Sequence, residues 1–338
     1  MNIEFHYYIT QILARRAGFS EEESYLIAYS SQYVDDNSLI LTIDEEKDGE
    51  YKNYISQTIN ILRPKPKLMR IYPCFHFVPG EYECEEAKRK DGKMHILNTT
   101  PNNKRANKLL EEALATGDPY RIGIATHSYA DTWAHQNFTG YFDYFNGMGG
   151  ILEKVSPNIG HADAHHSPDI PSLVWKDERL ISHNALVRNK ERFLDAARHI
   201  YLHYKAALSP ETTSPDELEQ GWGIVAADLA WAMGREFEGK DRDRKKRMAH
   251  YKSLLGDFTD YDDDDWLLEG IRIDVSGLPD HKRFELLANF NPLQDKYYKK
   301  HNFENSHWYK FQEAVKEHQK LAESLMEDLF CQMEVEEY

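Results

Sequence analysis

No stretch of this chain approaches the roughly 20 apolar residues that a membrane-spanning helix requires, so no transmembrane segment is expected. The first residues, Met1-Asn2-Ile3-Glu4-Phe5-His6, hold neither the basic region nor the apolar run of a secretory leader. Cysteine is scarce. Cys74, Cys84 and Cys331 are odd in number and lack zinc-knuckle spacing, so they read as free thiols of a reducing compartment and point to the cytoplasm. Positive charge is in deficit: 41 Lys and Arg stand against 57 Asp and Glu, a formal net charge of −16. Such a surplus repels long polyanions, which makes duplex DNA a poor partner unless a cation intervenes. Also missing are the Gly-x-Ser-x-Gly elbow of serine hydrolases, a glycine-rich phosphate loop and any internal repeat. The run Asp262–Asp265 has neither the alternation nor the glycine of an EF-hand loop and reads as a solvated acidic turn.

What is present is a large apolar complement. Apolar residues make up 41% of the 338, enough for one large domain or two ordinary ones. Their spacing is helical nearly throughout. A first helix over 3–17 carries Ile3, Tyr7, Ile9, Ile12 and Leu13 and stops at Gly18, a C-cap residue. Ser20 followed by Glu21-Glu22-Glu23 is a capping-box start, and the second helix runs to Asp35-Asp36-Asn37. Further helices are expected over about 103–116, 119–137, 184–208, 215–238, 241–255 and 304–333. Prolines break 62–102, where Lys67–Pro73 reads as extended; glycines and prolines break 139–183. The expected architecture is all-α, a multi-helix globular bundle with long ligand-bearing loops. Its core spans 1–208, and a helical extension over 209–338 packs on it. The last helix is amphipathic enough to serve a homodimer.

The segment Ile124–His135 carries the chemistry. His127, Asp131 and His135 are each four residues apart, which lines them along one helix face. Imidazole nitrogen and carboxylate oxygen suit zinc or manganese better than calcium. An ordinary amphipathic helix is the bland alternative, but two buried histidines flanking a carboxylate each need a partner. A second cluster follows in Gly160–Asp169. His161 with His165, or His165 with Asp169, has the same spacing, and Pro168 argues against a helix through Asp169. His76 sits between Phe75 and Phe77; alone it reads as a core histidine, and in company as a ligand. His6 follows the same argument. Asp35 and Asp36 end a helix, where the dipole disfavours carboxylates and a cation would offset the cost. Either one could orient a catalytic water or bind metal. His199 and His203 fall beside an apolar stripe and read as a surface pair. Tyr129, Trp133, Phe138 and Tyr141 either line an entrance or fill the core.

The order of these residues resembles the zinc-dependent phospholipase C and single-strand-specific nuclease superfamily. It runs His6, then Tyr33-Val34-Asp35, His76, His127 with Asp131 and His135, then His161 or His165 with Asp169. The phrases His6-Tyr7-Tyr8, Ala130-Asp131-Thr132-Trp133-Ala134-His135-Gln136-Asn137-Phe138 and Gly160-His161-Ala162 are similar to a bacterial branch of it, over about residues 1–205. The resemblance implies an all-helical protein with a cluster of two or three zinc ions, manganese or iron being alternatives. It implies that Asp35 (or Asp36), His76, His127 and Asp131 hold a first metal. A second falls to His135, His161 and either His165 or Asp169, and a third to His6 and Asp131. Two features depart from the pattern. The family separates the middle Asp from the next His by six residues rather than four. It also uses an N-terminal Trp at the third ion, where this chain has Met1 and, as a substitute, Glu4. The implied function is phosphoester hydrolysis of a small phosphoester or lipid head group. A metal-stabilised binding module without turnover and a single-strand nuclease are the alternatives.

Overall fold

Ser20 and Glu23 close the box that the sequence announces. In the computed structural model, which describes residues 1–44, 49–58, 69–148, 159–209, 214–274 and 296–335, Glu23 N donates to Ser20 Oγ at 3.2 Å and Ser20 N to Glu23 Oε2 at 2.9 Å. This starts α2 (Glu21–Asp36). Before it, a π-helical turn, Glu4–Ile9, runs straight into α1 (Thr10–Ala17), which ends at Gly18 with a φ of 119°. Only glycine takes that conformation without strain. Helix α3 (Ile71–Phe75) is short. Helix α4 (Lys104–Thr116) is capped by Asn103, and α5 (Pro119–Ala134) by Asp118 with Pro119 in the first turn, where no N–H is needed. Helices α6 (Asn189–Leu208), α7 (Pro215–Ala232), α8 (Arg244–Leu255), α9 (Asp265–Gly270) and α10 (His307–Gln332) follow among the described residues.

The protein is mostly helical, 57% helix and 10% strand, so the all-α expectation needs correcting for two small sheets. Strands β1 (Thr42–Ile43), β2 (Tyr51–Lys52), β5 (Ile271–Asp274) and β6 (Lys296–Lys299) form one, in the order β2-β1-β6-β5. Its only parallel pairing among the described residues joins Ile43 to Tyr297. Strands β3 (Val174–Lys176) and β4 (Leu186–Arg188) form an antiparallel pair. Strands of two to four residues are shorter than any window in which periodicity registers. The extended reading of Lys67–Pro73 is corrected in part. Ile71–Phe75 is helical, with Pro73 in a first turn that tolerates it. Lys67 and Leu68 lie outside the described residues, as do Gly149, Gly150 and Pro157 of the second loop.

Helix α5 is the axis on which the rest is assembled. Helices α2, α4, α6 and α10 all pack against it. Its own sequence explains this, since Ile122 to Ala134 is buried on every side. The chain beyond 209 joins the same core: Trp308, Phe311, Val315, Met326 and Phe330 of α10 are buried with residues of α2 and α5. The apolar face of the last helix is therefore covered within the chain. No described helix is long and apolar enough to cross a membrane.

The approach of α2 to α5 depends on Gly123. A Cβ there would stand 2.4 Å from the Ile27 carbonyl oxygen and 2.5 Å from Ser30 Cβ. These are backbone and near-backbone atoms that cannot swing away. Gly123→Ala is expected to destabilise the protein by about 1–3 kcal/mol, the usual cost of overpacking. Urea denaturation of the variant beside the parent measures it, and an unchanged midpoint would show that the two helices slide apart freely.

Candidate metal centre

Four separated stretches converge at the C-terminal half of α5. His127 and Asp131 project from it one turn apart, and His135 is its C-cap residue. Asp35 comes from the last turn of α2, and His76 from the C-cap of α3. His6 lies in the π-helical turn, a widened geometry that recurs at functional sites. His161 and Asp169 come from two 3-10 turns in the second loop. Arg192 of α6 closes α5 beneath them, donating to the Trp133 carbonyl and, at 3.2 Å, to that of Ala134. Burial lowers its pKa to about 10, with Asp177 and Asp169 opposing the shift.

The ligand atoms form three groups: His6, His127 and Asp131; Asp35, His76 and His127; and His135, His161 and Asp169. Within each group they lie within 4.8 Å of one another. His127 belongs to two of them. Asp131 is the electrostatic hub. One of its oxygens is 3.1 Å from His127 Nε2 and 3.4 Å from His76 Nδ1, and the other is 3.1 Å from His6 Nε2 and in contact with the Met1 ammonium.

Hydrogen bonds to the main chain decide what the rings present to this centre. His127 Nδ1 meets the Ser31 carbonyl at 2.7 Å, His76 Nε2 that of Ser56 at 2.9 Å, His135 Nδ1 that of His76 at 2.7 Å, and His161 Nδ1 that of His165 at 2.7 Å. A carbonyl only accepts, so in each ring that nitrogen carries the proton. The other nitrogen of each neutral ring then points a lone pair inward. His127 Nε2 and His76 Nδ1 face each other at 3.0 Å with Asp35 Oδ1 at 3.8 and 3.7 Å from them. Acceptor opposing acceptor at such distance is unfavourable unless positive charge sits between them. Carbonyl-anchored imidazoles are the usual outer support of metal-binding histidines.

Burial and charge point the same way. Burial pushes the Asp35 carboxyl up to about 8; His76 opposes this, and the charge of Asp131 adds to it. Asp131 is more deeply buried still, yet His135, the Met1 ammonium, His127 and His6 hold it well below the usual carboxylate range. Burial opposes the charged Met1 amine too, but Asp131, Asp169 and Asp35 outweigh it and raise its pKa. His135 is lowered to about 4, chiefly by burial and against Asp131, and His6 is lowered well below its ordinary value by burial and His127. Without further cations the centre therefore holds three acids against one amine, and Asp35 keeps its proton near neutrality. Both ring nitrogens of His6 and Asp169 Oδ1 are buried with no hydrogen-bond partner. His6 Nε2 is 3.1 Å from Asp131 but not in bonding geometry. Unpartnered donors of this hardness, nitrogen and oxygen mixed, fit zinc.

Eight of the sequence candidates thus meet: His6, Asp35, His76, His127, Asp131, His135, His161 and Asp169. Two do not. Asp36 accepts from Tyr261 Oη at 2.6 Å and Gln32 Nε2 at 3.0 Å and belongs to none of the groups. His165 turns its ring outward at a φ of 52° and supplies only the carbonyl that orients His161. Glu4 does not reach the centre; it pairs with Arg247 instead. Tyr129, Trp133 and Phe138 are core residues, and the entrance is walled by Tyr72 and by Phe77, which stacks on His135 at 4.3 Å. Half-buried His199 and His203 lie in no ligand group, and His203 bonds Asn107. Sequence reasoning missed the Met1 amine and the anchoring carbonyls of Ser31 and Ser56. The carbonyls have no side-chain signature, and the amine's place depends on the fold of the π-helical turn.

A ring that ligates and a ring that does not should separate cleanly on mutation. His161→Ala is expected to weaken zinc binding by more than about tenfold, and His165→Ala by less than about threefold, its carbonyl being retained. Competition with a chromophoric chelator measures both. Equal losses would mean that the His165 ring, not its backbone, serves the centre.

A cavity of about 870 Å³ opens onto the cluster, with Asp35, His76, His135, His161 and Asp169 on its floor. A family model described as a family of unknown function, DUF6765, matches residues 1–326. No curated protein and no solved structure matches the chain.

Proposed function

The chain belongs to DUF6765, whose description carries no activity, and from its own geometry we propose that it is a zinc-dependent phosphoester hydrolase of the phospholipase C and nuclease type. The observation that carries this reading is the convergence of inward-facing imidazole lone pairs and buried carboxylates on the floor of an open cavity. When bound, two or three zinc ions would supply Lewis acidity, lowering the pKa of water and neutralising phosphoryl oxygens. Asp35, His76 and His127 would hold one, His135, His161 and Asp169 a second, and His6 with Asp131 a third.

The remaining roles belong to the chain itself. The Asp131 side chain is 1% exposed and that of Asp35 28%, so Asp35 is the carboxylate that cavity water reaches. It orients that water and accepts its proton. Asp131 keeps the cluster together and never meets solvent. Tyr72 and Phe77 give the cavity an apolar wall that excludes bulk water from the reacting ester. The volume lies within the roughly 300–1,000 Å³ typical of small-molecule sites, which favours a small ester or a head group over a polymer.

One observation supports a second reading. His76, His161 and Asp169 come from loops, so a cation would also staple those loops to the helices without turnover. The two readings part on one experiment. Zinc content is measured per chain, and hydrolysis of bis-p-nitrophenyl phosphate is followed before chelation, after it, and after zinc is returned. The hydrolase reading expects two or three zinc ions and activity that vanishes and returns with them. Bound zinc without turnover on any mono- or diester would leave the stapled module; a protein that takes up no zinc would end both.

A further inference from the structure

Helix α7 is apolar on both of its sides. Residues 221–234 hold a single charged side chain, Asp228, which pairs with Arg16 at 2.8 Å. Trp222, Val225, Leu229 and Ala232 face the core and are buried. Gly223, Ile224, Ala227 and Trp231 recur at helical spacing on the opposite side and are exposed, Ile224 at 57% and Trp231 at 52%. The Trp231 ring stacks on that of His250 at 4.2 Å, which joins α8 to the edge of this face. A helix that is apolar all round is ordinarily buried, and a contiguous apolar surface with a polar rim ordinarily meets a partner.

Gly223 gives the face a shape that the chain by itself does not require. Glycine inside a helix costs stability relative to alanine, so it calls for a reason. Gly221 has one, since a Cβ there would stand 2.6 Å from Tyr201 Oη. At Gly223 a Cβ would meet nothing within 4 Å among the described residues. Its φ is negative, so backbone freedom is not the reason either. What remains is the close approach of a second backbone, for which Ala227, one turn further on, also leaves room.

The charges at the two ends of the face select the partner. Asp216 lies in the first turn of α7. Arg235 lies just past its end, and Lys246 of α8 sits one turn before His250, on the same side of that helix. All three are exposed and form no ion pair among the described residues. A face that is negative at its start and positive at its end matches its own reverse. We propose that α7 is the interface of a symmetric dimer, two copies of the chain packing antiparallel about a two-fold axis near Gly223 and Ala227. Ile224 of each copy then lies over the small residues of the other, and Asp216 of each faces Arg235 and Lys246 of the other. Parallel packing would set like charges together, and a charged lipid surface would be repelled at one end of the face. Self-association, expected of the last helix, falls to α7 instead, because the apolar face of α10 is covered within the chain. The inference is independent of the metal centre.

Sedimentation equilibrium of the full chain tests this. The parent is expected at twice the chain mass at micromolar concentration and to dissociate on dilution. Gly223→Gln replaces a poor helix former by a good one, so where both proteins are monomeric its thermal midpoint is expected to equal or exceed the parent's. The same substitution is expected to weaken association by at least about tenfold, because the new side chain holds the backbones apart. Asp216→Lys is expected to weaken it by about three- to tenfold, the worth of two exposed ion pairs related by symmetry, and Lys246→Glu in the same chain to restore part of the loss. A parent that stays monomeric throughout overturns the proposal, and so does a dimer that Gly223→Gln leaves intact. Failure of the charge reversal to recover overturns the antiparallel arrangement. A monomer that instead cosediments with phosphatidylserine vesicles, and ceases to on Trp231→Ser, gives the face to a membrane and overturns the dimer as well.

Discussion

Asp131→Asn is expected to lower zinc affinity by more than about 100-fold and to take hydrolysis to background, because it removes a ligand of the proposed centre rather than an outer support, whose loss alone costs about 10–100-fold. Four imidazoles and the Met1 ammonium face this one carboxylate. Asparagine keeps the shape and loses the charge. The metal-free variant should also unfold more readily, since the buried amine then lacks its nearest counter-charge. Asp36→Asn is the matched control: the same chemical change, on a carboxylate bonded to Tyr261 and Gln32, leaves zinc content unaltered. Elemental analysis of the two purified variants reads the result. Equal zinc in both would show that Asp131 is only a partner for histidines.

Arg247→Met is expected to destabilise the zinc-loaded protein by about 3–5 kcal/mol, the cost of leaving a buried ion without its partner. Glu4 is fully buried and receives two hydrogen bonds of 2.8 Å from the Arg247 guanidinium. Burial opposes the charged guanidinium, but the hydrogen bonds to Glu4 and Asp241 prevail and raise its pKa. Glu4 opens the π-helical turn that carries His6, so the loss also loosens the third ligand group. Adding Glu4→Gln to the variant removes the stranded charge and is expected to restore part of the stability. Urea denaturation of the single and double variants decides. A single variant as stable as the parent would mean that water reaches Glu4.

How much of this could be read beforehand follows from the range over which each signal acts. Helices were legible because the capping box at Ser20 and the stop at Gly18 are local. That His127, Asp131 and His135 share one side of α5 was legible for the same reason: spacing of four on a helix is a statement about one face. Asp35 and Asp36 could not be told apart, since neighbours on a helix point about 100° apart and nothing in the sequence sets the phase. Only the packing of α2 on α5 does. His165 and Asp169 stayed open because their loop has no period; the φ of 52° at His165 itself sets the outcome. The sheets were invisible, being built from pairings such as Ile43 with Tyr297. So was the Glu4–Arg247 pair, 243 residues apart in sequence. The main-chain carbonyls that fix His127 and His76 belong to Ser31 and Ser56, whose side chains announce nothing.

Crystals grown with zinc and measured at its absorption edge put the central claim to its most direct trial. Anomalous peaks are expected about 2.0–2.1 Å from His127 Nε2, His76 Nδ1, His135 Nε2 and His161 Nε2, with the opposite ring nitrogens still on their carbonyls. A centre without peaks, its rings turned to donate N–H groups to Asp35, Asp131 and Asp169, would contradict it.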